Sequence, residues 1–260
     1  IFNFIIMQTI SIIGYGKMAK AIACGLNGKF RLEIIGRDKE KIEDFIQTNS
    51  LLNTTSFHSQ KTIDIKDKIL ILAIKPYALE YFKYENQSRV VFNIMAGVSI
   101  SRLQNVLNSK SYCRVMPNVA SLVGSGLSVI YSDDMEVKRL ASDIFDTLGS
   151  SIFVDKEEQI NSAGAISGCG PAYLGLVAEA LIDAGVREGL SLDISTKLVN
   201  GLFDGFSKLL QVKTPNEIRL DTTSPGGTTI DGIVELENSA TRAAFINAVC
   251  AAHKKAKSLS

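Results

Sequence analysis

The run Ile69-Leu70-Ile71-Leu72-Ala73-Ile74 is aliphatic at every position. A strand with one wet face alternates apolar and polar residues, so an unbroken run marks a strand covered on both faces, as in a parallel sheet between helix layers. Related strand patterns recur at Thr9–Ile13, Leu32–Ile35, Arg89–Ile94, Tyr112–Met116, Leu127–Tyr131 and Ile152–Val154, and Lys68–Ile74 contains the first run. Helical patterns separate them near Lys17–Leu26, Lys39–Gln47, Leu79–Tyr84, Ile100–Leu107 and Asp134–Leu148. Alternation of this kind predicts right-handed βαβ crossovers and an α/β fold built on a doubly wound, mostly parallel sheet.

From about Lys156 the strand signals stop. Helices are predicted at Pro171–Gly189, Ser195–Leu210 and Ile230–Lys257, with a loop at Lys213–Gly227. The expected organisation is therefore a sheet domain over 1–155 and an all-α domain over 156–260. Pro171–Gly189 is apolar or small nearly all round, so more than one neighbour must bury it. So few helices supply too few neighbours, which predicts a homodimer through this half, with further assembly left open.

Composition narrows the function classes. Among 260 residues, 28 Lys+Arg stand against 27 Asp+Glu, a net charge of +1 that lacks the electrostatic footprint of a nucleic-acid binder. No apolar run approaches the roughly 20 residues that cross a bilayer, so no membrane partner is expected. Residues 1–6 lack a basic region and a small-residue cleavage site; they read as an extension ahead of Met7 rather than a secretory signal. Cys24, Cys113, Cys169 and Cys250 are scattered and only His58 and His253 accompany them, so no metal site is expected. Four isolated thiols suit a reducing cytoplasm.

Gly14-Tyr15-Gly16-Lys17-Met18-Ala19 has the form G-x-G-x-x-A between a strand and a helix. The first Gly makes the tight turn, the second admits a pyrophosphate close to the backbone, and the small third residue lets helix and strand pack. The second strand ends Gly36-Arg37-Asp38. Arg there suits the 2′-phosphate of NADPH and a carboxylate suits the ribose of NADH, so the two residues compete; Arg37 comes first, which favours NADPH with NADH as the alternative.

Further segments follow in order: Ala73-Ile74-Lys75-Pro76, Arg114-Val115-Met116-Pro117-Asn118, Ser167-Gly168-Cys169-Gly170-Pro171-Ala172-Tyr173 and Ser224-Pro225-Gly226-Gly227-Thr228-Thr229-Ile230. With these motifs the chain resembles the pyrroline-5-carboxylate reductase family from about Thr9 to the last helix. The resemblance implies a Rossmann domain, a helical dimerisation domain, and NAD(P)H-dependent reduction of a cyclic imine to proline. It also implies that Gly14, Tyr15, Gly16, Lys17, Met18, Arg37, Ala73, Ile74, Lys75, Pro76, Ile94, Met95, Ala96 and Asn118 line the cofactor. Glu157 then borders the substrate, Thr228 and Thr229 hold its carboxylate through their backbones, and the Thr229 hydroxyl lies near the ring nitrogen. Three departures stand out: Val119-Ala120 replaces the family's Thr-Pro, Cys169 replaces its usual Ser, and the acidic residue ahead of Ser224 stands at Asp221, displaced by one.

The residues at 224–229 make physical sense of that role. Ser224 can cap, Pro225 restricts the chain, and Gly226 and Gly227 keep side chains away. The amides of Gly227, Thr228 and Thr229 are then expected to face one point at a positive helix end, a seat for a small carboxylate substrate. The plainer alternative is a well-made helix start. A cyclic imine can arrive already protonated, which fits a chain with no His in a motif and no carboxylate pair. Two other readings remain open. A related dehydrogenase or imine reductase on another small carboxylate would need a helical Lys or His, for which Lys197 and Lys208 are the candidates. A non-catalytic dinucleotide sensor would not need the 224–229 seat.

Overall fold

The computed structural model describes residues 8–59 and 61–259, so the expectation for residues 1–6 lies outside the described residues. Ten strands are found: β1 (Thr9–Ile13), β2 (Arg31–Gly36), β3 (Thr54–His58), β4 (Thr62–Asp64), β5 (Ile69–Leu72), β6 (Lys83–Glu85), β7 (Gln87–Asn93), β8 (Asn108–Met116), β9 (Gly126–Tyr131) and β10 (Gly149–Phe153). Eight of them form one sheet in the order β10-β9-β8-β7-β5-β1-β2-β3, and β4 pairs with β6 in a small second sheet. The pairings from β3 to β8 are parallel; β9 runs against β8, and β10 lies parallel to β9. The chain winds from β1 out to β3 on one side, then returns to β5 on the other side of β1. That reversal is the topological switch point at which doubly wound sheets open a crevice beyond their strand ends.

Helices α1 (Lys17–Leu26), α2 (Lys39–Thr48), α3 (Ile100–Gln104) and α4 (Met135–Phe145) connect the strands. Neighbouring residues of one strand go to opposite cores, which is why the central strands read as unbroken aliphatic runs. Ile10, Ile12, Leu32, Ile34, Ile71 and Phe92 pack with α1 and α4 residues such as Ile22, Ile144 and Phe145. Ile13, Ile35, Leu70, Leu72 and Val91 pack on the other face with Leu79, Phe82, Leu103 and Leu107. The Phe92 and Phe145 rings meet edge to face at 5.7 Å.

Contacts divide the chain into two units, Ile1–Cys169 with Ala252–Ser260, and Gly170–Ala251. The division falls later than the 155/156 boundary expected from the end of the strand signals. The reason is physical: α5 (Gln159–Ala163) and the π-helical turn Gly164–Gly168 belong with the sheet, and α5 packs on β8 and β9. The second unit contains α6 (Gly170–Arg187), α7 (Leu192–Leu209), α8 (Pro215–Asp221), α9 (Thr228–Asn238) and most of α10 (Thr241–Leu259). In it, α6 and α7 approach so closely that a Cβ on Gly185 would lie 2.6 Å from Ser195 Oγ.

Three further expectations are corrected. The segment 79–84 is a 3₁₀ helix over Pro76–Tyr81 followed by β6. The long final helix breaks at Ser239–Ala240, where Ala240 takes a φ of +53° and ends α9. The expected loop at 213–227 contains α8, opened by Pro215 and a reciprocal Thr214–Glu217 capping box.

Truncating a large ring buried between sheet and helix removes its apolar transfer and leaves a cavity. Phe145→Ala is expected to cost about 3–5 kcal/mol, read as a lower urea midpoint; a loss below about 1 kcal/mol would show that the site collapses around the gap.

Candidate functional site

A cleft of about 1070 Å³ opens beyond the carboxyl ends of the parallel strands, entirely within the first unit. Its wall includes Gly14, Tyr15, Gly16, Lys17 and Met18 after β1, Arg37 after β2, and Ala73, Ile74, Lys75 and Pro76 after β5. Ile94, Met95 and Ala96 after β7 and Asn118 after β8 complete the set, so all fourteen residues expected at a cofactor surround one cavity. Met116, Asn161, Gly164, Ala165, Gly168, Cys169, Ala252 and Ala256 supply a further wall.

The two glycines of the first turn do different work. Gly14 has φ +117°, and a Cβ there would lie 2.5 Å from the Ala73 carbonyl oxygen. The first turn and the β5 loop therefore touch backbone to backbone. A Cβ on Gly16 would meet no protein atom within 4 Å, so it would project into open space at the start of α1. No side chain caps that helix start, whose first-turn amides lack intrahelical partners. A bare backbone facing a cavity at a positive helix end fits a pyrophosphate.

The competition between Arg37 and Asp38 is resolved by their partners. Asp38 is the N-cap of α2, accepting from Lys41 N at 3.2 Å, and its carboxylate lies 3.0 Å from Lys41 Nζ. The bond to Lys41 holds the Asp38 carboxyl below its ordinary range. Arg37 lines the cleft instead, its guanidinium 5.0 Å from the Tyr81 ring centre and its carbonyl bonded to His58 Nε2 at 2.9 Å. Asp38 spaced in sequence like a ribose ligand is thus a helix cap.

Buried and half-buried polar groups shape the remaining loops. Asn93 is buried; its Nδ2 donates to the Val98 carbonyl at 2.7 Å and its Oδ1 accepts from Met95 N at 2.9 Å, which sets the turn carrying Ile94–Ala96. Asn118 Oδ1 accepts from Leu127 N at 3.2 Å and ties its loop to β9. Arg114 is buried on β8, donating to Glu157 Oε1 at 3.2 Å and Asn161 Oδ1 at 3.1 Å. Burial pulls the Arg114 pKa down while the Glu157 carboxylate opposes that shift.

Glu157 has a second partner. Its Oε1 also accepts from Ile100 N at 2.8 Å, so one carboxylate ties the start of α3 to β8 and the approach to α5. Asn161, which shares Arg114 with it, lines the cleft. Beyond Asn161 the helix widens, Cys169 N bonding the Gly164 carbonyl at 3.0 Å across five residues. Gly164 lies against Met116, where a Cβ would come within 3.3 Å of Met116 Cγ. Cys169 ends this turn, half-buried and on the cleft wall; all four cysteines are free thiols.

Residues 224–229 belong to the second unit. Gly227 N bonds the Ser224 carbonyl at 3.1 Å and Gly226 has φ +69°, the pattern of a turn with Pro at its second position and Gly at its third. Two details of the expectation change. Ser224 does not cap α9, whose N-cap is Gly227 without a side-chain bond, and the Gly227 amide is spent on the turn. The exposed helix start offers the amides of Thr228, Thr229 and Ile230 instead. A Cβ on Gly227 would press on the Ser224 hydroxyl, which would have to turn aside.

The remaining candidates resolve simply. Lys197 and Lys208 are exposed and pair with Asp193 and Asp204 one turn earlier, at 2.8 and 2.7 Å, which leaves neither as a buried catalytic amine. Asp221 accepts from Lys213 at 2.6 Å across α8. Among the described residues no group of three His, Cys, Asp or Glu could hold a metal.

Comparison with known proteins follows this geometry. Residues 9–97 match the family described as NADP oxidoreductase coenzyme F420-dependent, and residues 157–259 match the family described as pyrroline-5-carboxylate reductase dimerisation. A pyrroline-5-carboxylate reductase of Helicobacter pylori J99 is 38% identical over 255 residues, covering 96% of this chain and 99% of its own. The crystal structure of Plasmodium falciparum pyrroline carboxylate reductase with NADP bound superposes with a TM-score of 0.79 at 29% identity, covering 96% of this chain and 99% of that one. The Streptococcus pyogenes 1-pyrroline-5-carboxylate reductase reaches 0.84 at 27% identity, covering 96% and 98%.

The glycine pair separates fold from binding. Gly14→Ala is expected to lower thermal stability through a strained φ and a backbone collision. Gly16→Ala should leave the melting temperature within about 1 °C yet weaken dinucleotide binding at least tenfold, because the new methyl occupies ligand space. Thermal unfolding and nucleotide titration of both variants check this, and equal effects on both properties would refute the division.

Proposed function

The chain belongs to the pyrroline-5-carboxylate reductase family, and from that premise we propose that it reduces 1-pyrroline-5-carboxylate to proline with NADPH. The single observation that carries the reading is the convergence of the Gly14–Met18 turn, Arg37, the Ala73–Pro76 loop and Asn118 on one glycine-floored cleft at the sheet's switch point. The Gly16 backbone and the α1 amides would hold the pyrophosphate, and Arg37 the 2′-phosphate. Asp38, committed to capping α2, does not oppose that phosphate. Ile74, Met95 and Met116 offer an apolar surface for the nicotinamide ring. Bound NADPH supplies the hydride that reduces the C=N carbon.

The protein's own groups then position and exclude water. In this reading the amides of Thr228, Thr229 and Ile230 at the start of α9 take the substrate carboxylate, and the turn at Ser224–Gly227 keeps side chains out of its way. The Thr229 hydroxyl faces the ring nitrogen and holds its proton. Because the imine arrives protonated, orientation at near-attack distance is the larger contribution and a strong general acid is unnecessary. Glu157 acts through Arg114 and Asn161 by holding the cleft wall.

Self-association follows from the dimerisation match over residues 157–259. A homodimer accounts for helices that a single copy leaves bare: α6 and α9 bury no residue, and Leu198 and Leu202 of α7 are 59% and 56% exposed. The helical stretch Gln159–Arg187 is long and apolar enough to cross a bilayer by length and composition. Its apolar surface is instead assigned here to the partner subunit.

Absorbance at 340 nm during turnover tests the reading. Oxidation of NADPH with pyrroline-5-carboxylate, and not with simple ketones or hydroxypyruvate-like acids, is the expected result; binding of NADPH with no turnover of any of them would replace the reductase by a sensor. Thr229→Ala is expected to lower kcat about 10–100-fold near neutral pH with NADPH affinity intact, and unchanged steady-state kinetics would remove that hydroxyl from the mechanism.

A further inference from the structure

Tyr81 carries an unusual arrangement at the edge of the cleft. It ends the 3₁₀ helix Pro76–Tyr81 and does not itself line the cavity, whereas Arg37 and Tyr77 do. Its ring lies 5.0 Å beneath the Arg37 guanidinium, and the Tyr77 ring meets it edge-on at 6.1 Å. The loop after β5 therefore reaches across β1 to the tip of β2 and supports a cation there.

We propose that Tyr81 is a specificity-determining positioning residue: it fixes the Arg37 guanidinium, through its face, for a phosphomonoester on the nucleotide ribose. This rests on the NADPH reading above and adds the device that sets the preference. A guanidinium held over a ring face gives none of its N–H donors to an acceptor there, so they stay available to a phosphate. A carboxylate partner would order the same side chain but would compete with the phosphate for those donors. Among the described residues no carboxylate pairs with Arg37, and the adjacent Asp38 is taken by Lys41 and the α2 amide. The neutral ring thus restrains a long, otherwise exposed side chain without neutralising it.

The restraint lowers the ordering cost of binding, and that advantage exists only for a ligand that carries the phosphate. Ligands lacking it gain nothing from where Arg37 points. The signature is a selective effect on phosphorylated ligands, which a general role of Tyr81 in stability would not produce.

The test compares Tyr81→Leu and Tyr81→Phe in the full-length protein by direct binding. Affinities for NADPH and NADH are read from reduced-nicotinamide fluorescence, and those for 2′,5′-ADP and 5′-AMP from calorimetry. For Tyr81→Leu we expect NADPH and 2′,5′-ADP to weaken about three- to fivefold, the scale of an exposed cation–π contact, with NADH and 5′-AMP unchanged. Tyr81→Phe, which keeps the ring, should bind like the parent. Equal weakening of all four ligands, no weakening of the phosphorylated pair, or failure of Phe to restore it would each overturn the proposal. The underlying reading fails differently: a parent protein that selects NADPH but turns over no imine loses the reductase assignment and keeps the clamp, while one that reduces the imine without preferring NADPH keeps the reductase and loses the clamp.

Discussion

The structure depends on a backbone contact between two loops that leave the sheet in opposite directions. Gly14 turns the chain away from β1 toward β2, and Ala73 turns it away from β5 toward β7 on the other side. With a Cβ at Gly14 barely 2.5 Å from the Ala73 oxygen, the two turns can touch only because that side chain is absent. Both residues line the crevice that strand reversal opens. The parallel sheet supplies the geometry and one glycine lets it close at the base.

The far wall is built by a different principle. Arg114, Asn161 and Glu157 form a buried polar network joining β8, α5 and the start of α3. Desolvating a guanidinium is costly unless its donors are met, so the network ties three elements to one relative placement. The π-helical turn that follows sets Gly164 against Met116 and brings Ala165, Gly168 and Cys169 to the cavity. Such widened turns recur at functional sites because the extra residue re-aims the backbone without ending the helix.

What could be read beforehand tracked the physics of burial. Strands such as Ile69–Leu72 announced themselves because both faces are dry, whereas β3, with Thr54, Thr55 and Ser56 on an exposed edge, had no aliphatic run to reveal it. The sequence of α8 did hold a signal, Thr214-Pro215-x-Glu217, but its shortness and polar surroundings hid the capping box. All fourteen cofactor candidates fell around one cleft because the turn residues that mark strand ends in sequence are also those that a switch point gathers. Asp38 and Glu157 were harder. A carboxylate's partner is fixed by distant elements (Lys41 and the α2 amide in one case, Arg114 and Ile100 in the other), and residue type alone does not choose among them. The amide count at Gly227 failed for a similar reason, since a Pro-Gly turn uses that N–H internally.

Two helix starts in this chain present bare backbone amides. The helix starts at Gly16 in the first unit and at Gly227 in the second each lack a side-chain cap. Fixed amide dipoles neither titrate nor reorganise, so they hold anions over a wide pH range and suit a reaction in which the substrate brings its own proton. The consequence is an asymmetry of tolerance. Where an uncharged side chain stands on the cleft wall, as at Cys169 and the half-exposed Val119, exchange for another uncharged group leaves the backbone dipoles in place. Where the backbone itself faces the cavity, an added Cβ either collides with other backbone, as at Gly14, or projects into the open space, as at Gly16. Cys169 and Val119-Ala120 fall in the first class, whereas positions 14 and 16, where a Cβ has no place or would enter the cavity, are glycine.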